Sequence, residues 1–262
     1  MNSIWVAFIL TLFAGLSTSI GAFISLFSRR DNKQFLAAAL GFSAGVMVYV
    51  SLVDLFQQGI SDMTSTFSPK IATIYGVIAF FSGILLIAII DRVIPASDNP
   101  HEIQHNENNI ANKRLFKVGI LTAIAIAIHN FPEGIATFIS GLQDLSLALP
   151  ITFAIALHNI PEGIAVATPI YYATGNKKRA FLLSSISGLA EVLGGLIGYL
   201  ILRPFINDVV LGMVLCAVAG IMVFISIDEL IPTAKEYDKG HISIYGFVLG
   251  MLIMAISIIT FM

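Results

Sequence analysis

Apolar residues fill eight long stretches of the chain, at 4–27, 36–57, 70–91, 115–140, 147–172, 179–202, 208–232 and 241–261. None shows the period-two alternation of a barrel strand, and each has the roughly 20 residues that carry a helix across a bilayer. The pattern predicts an all-α integral membrane protein of eight transmembrane helices. Little chain is left between them. The longest polar segment, about 95–112, reads as an Asn-rich loop that contains His101, Glu102 and His105. Residues 57–69 form a shorter connection, and the link near Leu142–Ser146 is tight enough to make the fourth and fifth helices antiparallel neighbours. With no room for a separate soluble domain, residues 1–262 are read as one polytopic domain.

One twelve-residue pattern occurs twice, on the fourth and fifth stretches. Residues 125–136 read AIAIHNFPEGIA and residues 154–165 read AIALHNIPEGIA, identical at ten of twelve positions. Each copy puts a histidine, an asparagine, a proline and a glutamate where a lipid-facing helix carries none. Ionisable side chains at membrane depth are costly, so they face a protein interior and mark function. Histidine and glutamate four residues apart share one helix face and differ by about 6 Å in height. On antiparallel helices His129 then approaches Glu162 in depth, and Glu133 approaches His158. The four donors suit Zn²⁺, Fe²⁺, Mn²⁺, Co²⁺ or Cd²⁺, and no thiolate set is present for a copper(I) site. Pro132 and Pro161 each leave the carbonyl four residues back, on Ile128 and Leu157, without its helical donor. Either proline alone reads as an ordinary kink; the duplication with His, Asn and Glu is what argues for a site. Asn130 and Asn159 read either as weak ligands or as hydrogen bonds between helices.

Further acids follow. Glu191 lies in the middle of the sixth stretch among Gly188, Ala190, Gly194, Gly195 and Gly198, where close helix approach is possible. It reads as a cation or proton site, or else as a protonated packing residue. Asp54, Asp228 and Glu229 sit near helix ends, either as solvated caps or as the mouths of a path. Met47 is near mid-span in the second stretch, where packing is the commoner role of a methionine.

Composition narrows the class without choosing the function. The chain is 57% hydrophobic and 11% charged, where a soluble domain carries about 25% charge. The first charge is Arg29, so a cleaved signal peptide is not expected. Cys216 is the one cysteine, which excludes an internal disulfide. Twelve of the fourteen basic residues fall in the connections after stretches 1, 3, 5 and 7, against Lys70 and Arg203 on the other side. The positive-inside rule then puts both termini outside the cytoplasm and the 95–112 loop inside. A metal-dependent hydrolase in the membrane, or a metal sensor that does not transport, would also bury His and Glu. The hydrolase reading lacks the His-Glu-x-x-His pattern of the common metalloproteases.

HNFPEG at 129–134, HNIPEG at 158–163, AEVLGG at 190–195 and DELIP at 228–232 resemble the signatures of the ZIP (Zrt/Irt-like) family of divalent metal transporters, in particular its bacterial ZupT-type zinc transporters. Val192 departs from the pattern, which has proline there. The resemblance implies a transporter and not an enzyme, in the inner membrane of a cell, carrying zinc and other divalent metals into the cytoplasm by alternating access. Helices 1, 4, 5 and 6 would slide as a unit against 2, 3, 7 and 8, within a homodimer. It implies two metal positions at mid-membrane. The first uses His129, Glu133, His158 and Glu162, with Met47 as a further candidate. The second uses Asn130, Asn159 and Glu191, bridged by Glu133 and Glu162; some members carry aspartate where Asn159 stands. The metal is substrate, no prosthetic group is expected, and the partners are divalent ions and lipid, with no nucleic acid.

Overall fold

The computed structural model describes residues 2–29, 32–93, 107–143, 145–202, 205 and 207–261. Among them there is no strand. Eight long helices follow one another: α1 Asn2–Ser25, α2 Lys33–Met63, α3 Pro69–Val93, α4 Glu107–Gln143, α5 Leu145–Thr174, α6 Lys177–Ile201, α7 Asp208–Tyr237 and α8 Ile242–Phe261. Seven of these, all but α5, are long and apolar enough over their described residues to cross a membrane. Their outward faces carry Trp5, Phe81, Leu85, Leu200 and Ile259, each more than 60% exposed, as expected for a surface solvated by lipid. The chain is a multi-pass membrane protein.

Each expected stretch becomes a helix, and several helices outrun it. α4 starts at Glu107, within the segment read as a loop to 112. The polar residues of 107–113 lower the hydropathy without preventing a helix. α2 continues to Met63, which shortens the 57–69 connection to five residues. The sharp starts are capped. Asn32, Asn176 and Asn207 each accept a hydrogen bond from the amide three residues on, at 2.9–3.0 Å. Gly175, with φ 69°, takes the left-handed conformation that ends α5. At the α7–α8 turn Asp238 accepts from the amides of Gly240, Ile242 and Ser243 and from Ser243 Oγ. These bonds, that of Ser243 foremost, hold its carboxyl well below the usual range.

α2 and α7 each contain a π-helical turn, Val50–Leu55 and Ser226–Leu230. The surrounding sequences match. Residues 44–55 read AGVMVYVSLVDL and residues 219–230 read AGIMVFISIDEL. In both, a serine hydroxyl bonds back to the methionine carbonyl four residues earlier, Ser51 to Met47 at 2.6 Å and Ser226 to Met222 at 2.7 Å. Such back-bonding competes for the carbonyl that the helix would use and bends the segment.

Glycines decide which helices touch. Gly15 and Gly188 face each other's carbonyls across α1 and α6. Gly21 and Gly163 join α1 to α5 at Ile160 and Thr18, and Gly194 and Gly134 join α6 to α4 at Phe131 and Glu191 in the same manner. Gly45 and Gly250 join α2 to α8 at Phe247 and Phe42; Gly220 and Gly83 join α7 to α3 at Phe80 and Ala217. At most of these places a methyl group would overlap backbone atoms, so only glycine allows the approach. The nearest neighbours of every glycine within the eight helices stay inside one of two sets, α1/α4/α5/α6 or α2/α3/α7/α8. Between the sets the packing is looser. It is bridged by Ser43 Oγ donating to the Pro161 carbonyl at 3.0 Å, and by an Arg114–Glu236 ion pair at 3.1 Å.

Candidate metal site

α4 and α5 form a hairpin about position 144. Its antiparallel sense shows in two contacts, Gly119 against Ile170 and His129 against Glu162, since the second pair is nearer the turn on both helices. The repeated motif therefore meets itself at the middle of the hairpin. His129 Nε2 lies 3.3 Å from Glu133 Oε1 on its own helix and 3.5 Å from Glu162 Oε1 across the hairpin. His129 and Asn130 have no exposure, Glu133 5% and Glu162 1%. Two ligands about 2.05 Å from a tetrahedral zinc stand about 3.3 Å apart. The histidine nitrogen thus stands about one tetrahedron edge from each carboxylate oxygen, while among the described residues no three His, Cys, Asp or Glu side chains already close around an ion. A divalent cation shared by these groups would compensate the two carboxylates.

A second polar group adjoins the first. Asn159 Nδ2 donates to Glu191 Oε2 at 2.8 Å and to the Ala14 carbonyl at 3.0 Å. Among the described residues its buried amide oxygen meets no hydrogen-bond donor. Glu191 itself is fully buried. It can reach this depth because Gly134 of α4 packs on its backbone and Gly15 of α1 on its Cβ. Asn130 borders the first group. In one orientation its amide donates to the Ser187 carbonyl at 3.3 Å; turned over, it donates to both Ile126 O and Glu162 Oε2, also at 3.3 Å. The turned orientation points the amide's positive edge at a carboxylate, and we adopt it.

Of the seven residues singled out from the sequence, six meet here: His129, Asn130, Glu133, Asn159, Glu162 and Glu191. The seventh, His158, has its backbone in α5, and its side chain lies outside the described residues, as do His101, Glu102 and His105. Met47 is fully buried on α2. Asp54 and Glu229 are half-buried and Asp228 is exposed. Ser43 was not foreseen. Its bond to Pro161 brings α2 against the fifth-helix motif, and the only signal in the sequence was a lone serine four residues before Met47.

A family model described as "ZIP Zinc transporter" matches residues 92–258. The chain belongs to the ZIP family. Curated relatives that carry the name "Zinc transporter ZupT" match nearly the whole chain. That of Streptococcus mutans is 56% identical over 259 residues, covering 98% of both chains. That of Clostridium perfringens is 51% identical over 278 residues, covering all of this chain and 98% of the relative. That of Oceanobacillus iheyensis is 51% identical over 265 residues and 99% of both. Similarity of this extent spans both copies of the motif, all eight helices and both ends of the ZIP chain described above.

Proposed function

We propose that the protein is a zinc uptake transporter of the bacterial inner membrane, moving Zn²⁺ into the cytoplasm through the α4–α5 site. Fe²⁺, Mn²⁺, Co²⁺ and Cd²⁺ are further substrates of the same donor set. The observation that carries the reading is His129 Nε2 held between Glu133 and Glu162 at tetrahedral spacing inside a buried hairpin. Relatives named as zinc transporters, at half identity or more, support the same cargo.

The eight helices all cross the membrane, with both termini outside the cytoplasm. His158 is the fourth donor of the first metal position, opposite His129. Glu191, Asn159 and Asn130 serve a second position next to it, with Glu133 and Glu162 between the two. Asn159 already directs both of its bonds at Glu191 and Ala14, and its free oxygen is the atom that would reach a metal. The division of the helices supports alternating access. The glycine-seamed set α1/α4/α5/α6 carries the site and moves as one body against α2/α3/α7/α8, with the protein acting as a homodimer. The single domain 1–262 is an inverted repeat, α1–α3 against α6–α8, with α4 and α5 exchanged by the same two-fold axis.

The test is metal uptake by purified protein in sealed vesicles, comparing Zn²⁺, Fe²⁺, Mn²⁺ and Cd²⁺. Zinc should enter with the wild type. His129→Ala and Glu133→Ala should each lower uptake to a few per cent or less while the protein still folds, because each removes a donor and leaves the remaining buried acids uncompensated. Near-normal zinc uptake by both variants would reject the site. Folded wild-type protein that moves no metal would reject transport.

A further inference from the structure

The matched segments of α2 and α7 pair every residue of one with a residue of the other, and they pair Met47 with Met222. The correspondence is structural as well as sequential. Both methionines have no exposure. Both carbonyls accept the serine hydroxyl at the start of a π-helical turn. The glycine two residues before each, Gly45 or Gly220, presses its helix against α8 or α3. A residue two positions on is turned by about 200° on a helix, so each methionine points away from that partner and towards the centre of the molecule.

The depths of the two side chains can be read from the contacts between the helix sets. Ser43, one turn before Met47, bonds Pro161. α5 runs parallel to α1 and antiparallel to α2, so one turn beyond that bond puts Met47 level with position 158. For α7 the reference is the Arg114–Glu236 ion pair. α4 runs parallel to α6, by the Gly134–Glu191 and Gly195–Phe138 approaches, and hence antiparallel to α7. From Arg114 to His129 is fifteen residues and from Glu236 back to Met222 fourteen. These rise about 22 Å and about 21 Å. Met222 therefore lies level with His129. It belongs to the same buried cluster as Ala125 and Ile126 of α4.

We infer that Met222 is a second thioether of the metal route, facing the His129 side as Met47 faces the His158 side, and that the pair sets the preference for softer divalent ions. The inference rests on the transport reading above. A thioether is a soft and weak ligand. It adds little for Zn²⁺ beside imidazole and two carboxylates, and more for Cd²⁺. Flanking the site from both halves, the two sulfurs give an ion contact with α2 and α7 as well as with α4 and α5. The alternative is a methionine that only fills space.

Cysteine substitution separates the two. Met47→Cys and Met222→Cys are each made in a Cys216→Ala background and purified, and the rate of reaction with a small methanethiosulfonate is measured with and without Cd²⁺. A metal-bound thiolate is withdrawn from attack, so both rates should fall by about tenfold or more. Native Cys216 in the wild type, on the same helix but packed between Gly59 and Gly76, should be unaffected. An unchanged rate at Met222→Cys alongside protection at Met47→Cys would overturn the inference. If the cysteine variant does not fold, Met222→Leu keeps the volume. In vesicles its Cd²⁺:Zn²⁺ uptake ratio should drop several-fold, and an unchanged ratio would overturn the inference equally. Wild-type zinc uptake in the same vesicles distinguishes the failures. Its absence rejects the transport reading, whereas normal wild-type uptake with an unaffected variant rejects only the role of Met222.

Discussion

At the scale of single residues the site is organised by a contrast between two kinds of contact. His129 sits where two carboxylates can share a cation with it. Glu191 instead is tethered by an amide, the Asn159 bond at 2.8 Å. Aspartate in that place would offer charge but no N–H, and Glu191 would then face another acid. Asparagine keeps the second group neutral enough to remain buried before a metal arrives. The Glu191→Gln variant tests whether that group binds metal at all. Its amide oxygen still accepts from Asn159, so the local packing survives while the anionic ligand is lost. Metal bound by purified protein should fall from two equivalents to one, and uptake should change in rate or preference without vanishing. Equal stoichiometry in wild type and variant would return Glu191 to packing or proton carrying.

At the scale of elements, the eight apolar runs and the duplicated motif were legible because each is a property of contiguous residues. The limits of α4 and α2 were not, since polar first or last turns look like loops when hydropathy alone is read. The π-helical turns were equally hidden; they depend on a serine back-bond and on two segments 175 positions apart having the same pattern. The glycines were visible as small residues, but their partners were not. Gly134 is the most consequential of them, for its packing on the Glu191 backbone sets how closely the fourth-helix motif approaches Glu191. A methyl group there would overlap the Glu191 carbonyl, and neither helix can yield without moving Glu133 or Glu191. Gly134→Ala should cost about 1–3 kcal/mol or more from overpacking and depress uptake severely. Gly240→Ala, where a methyl group meets nothing within 4 Å, should do neither. Thermal unfolding in detergent together with vesicle uptake checks both, and a Gly134→Ala protein with wild-type stability and flux would contradict the seam.

At the scale of the whole molecule, the distribution of close contacts is an argument about what moves. Helices joined by glycine in backbone contact resist sliding, because any shift along the seam drives side chains into carbonyls. Helices without glycine seams, joined by apolar side chains, a serine hydroxyl and a partly exposed ion pair, part at lower cost, since the exposed pair contributes about 0–1 kcal/mol and no backbone is locked against backbone. The boundary between α1/α4/α5/α6 and α2/α3/α7/α8 is of the second kind. Two cross-links in a Cys216→Ala background separate a moving boundary from a fixed one. Ser19 and Ser185 lie within the first set with their hydroxyls 2.9 Å apart, so a Ser19→Cys/Ser185→Cys pair should oxidise to a disulfide and leave zinc uptake largely intact. Arg114→Cys and Glu236→Cys lie across the boundary. Joined by a short bis-maleimide, they should stop uptake, while each single variant treated with the same reagent continues to transport. Uptake that persists through the Arg114–Glu236 cross-link would mean that the two sets need not separate at the α4–α7 end, and the moving parts would have to be sought within the glycine-seamed set itself.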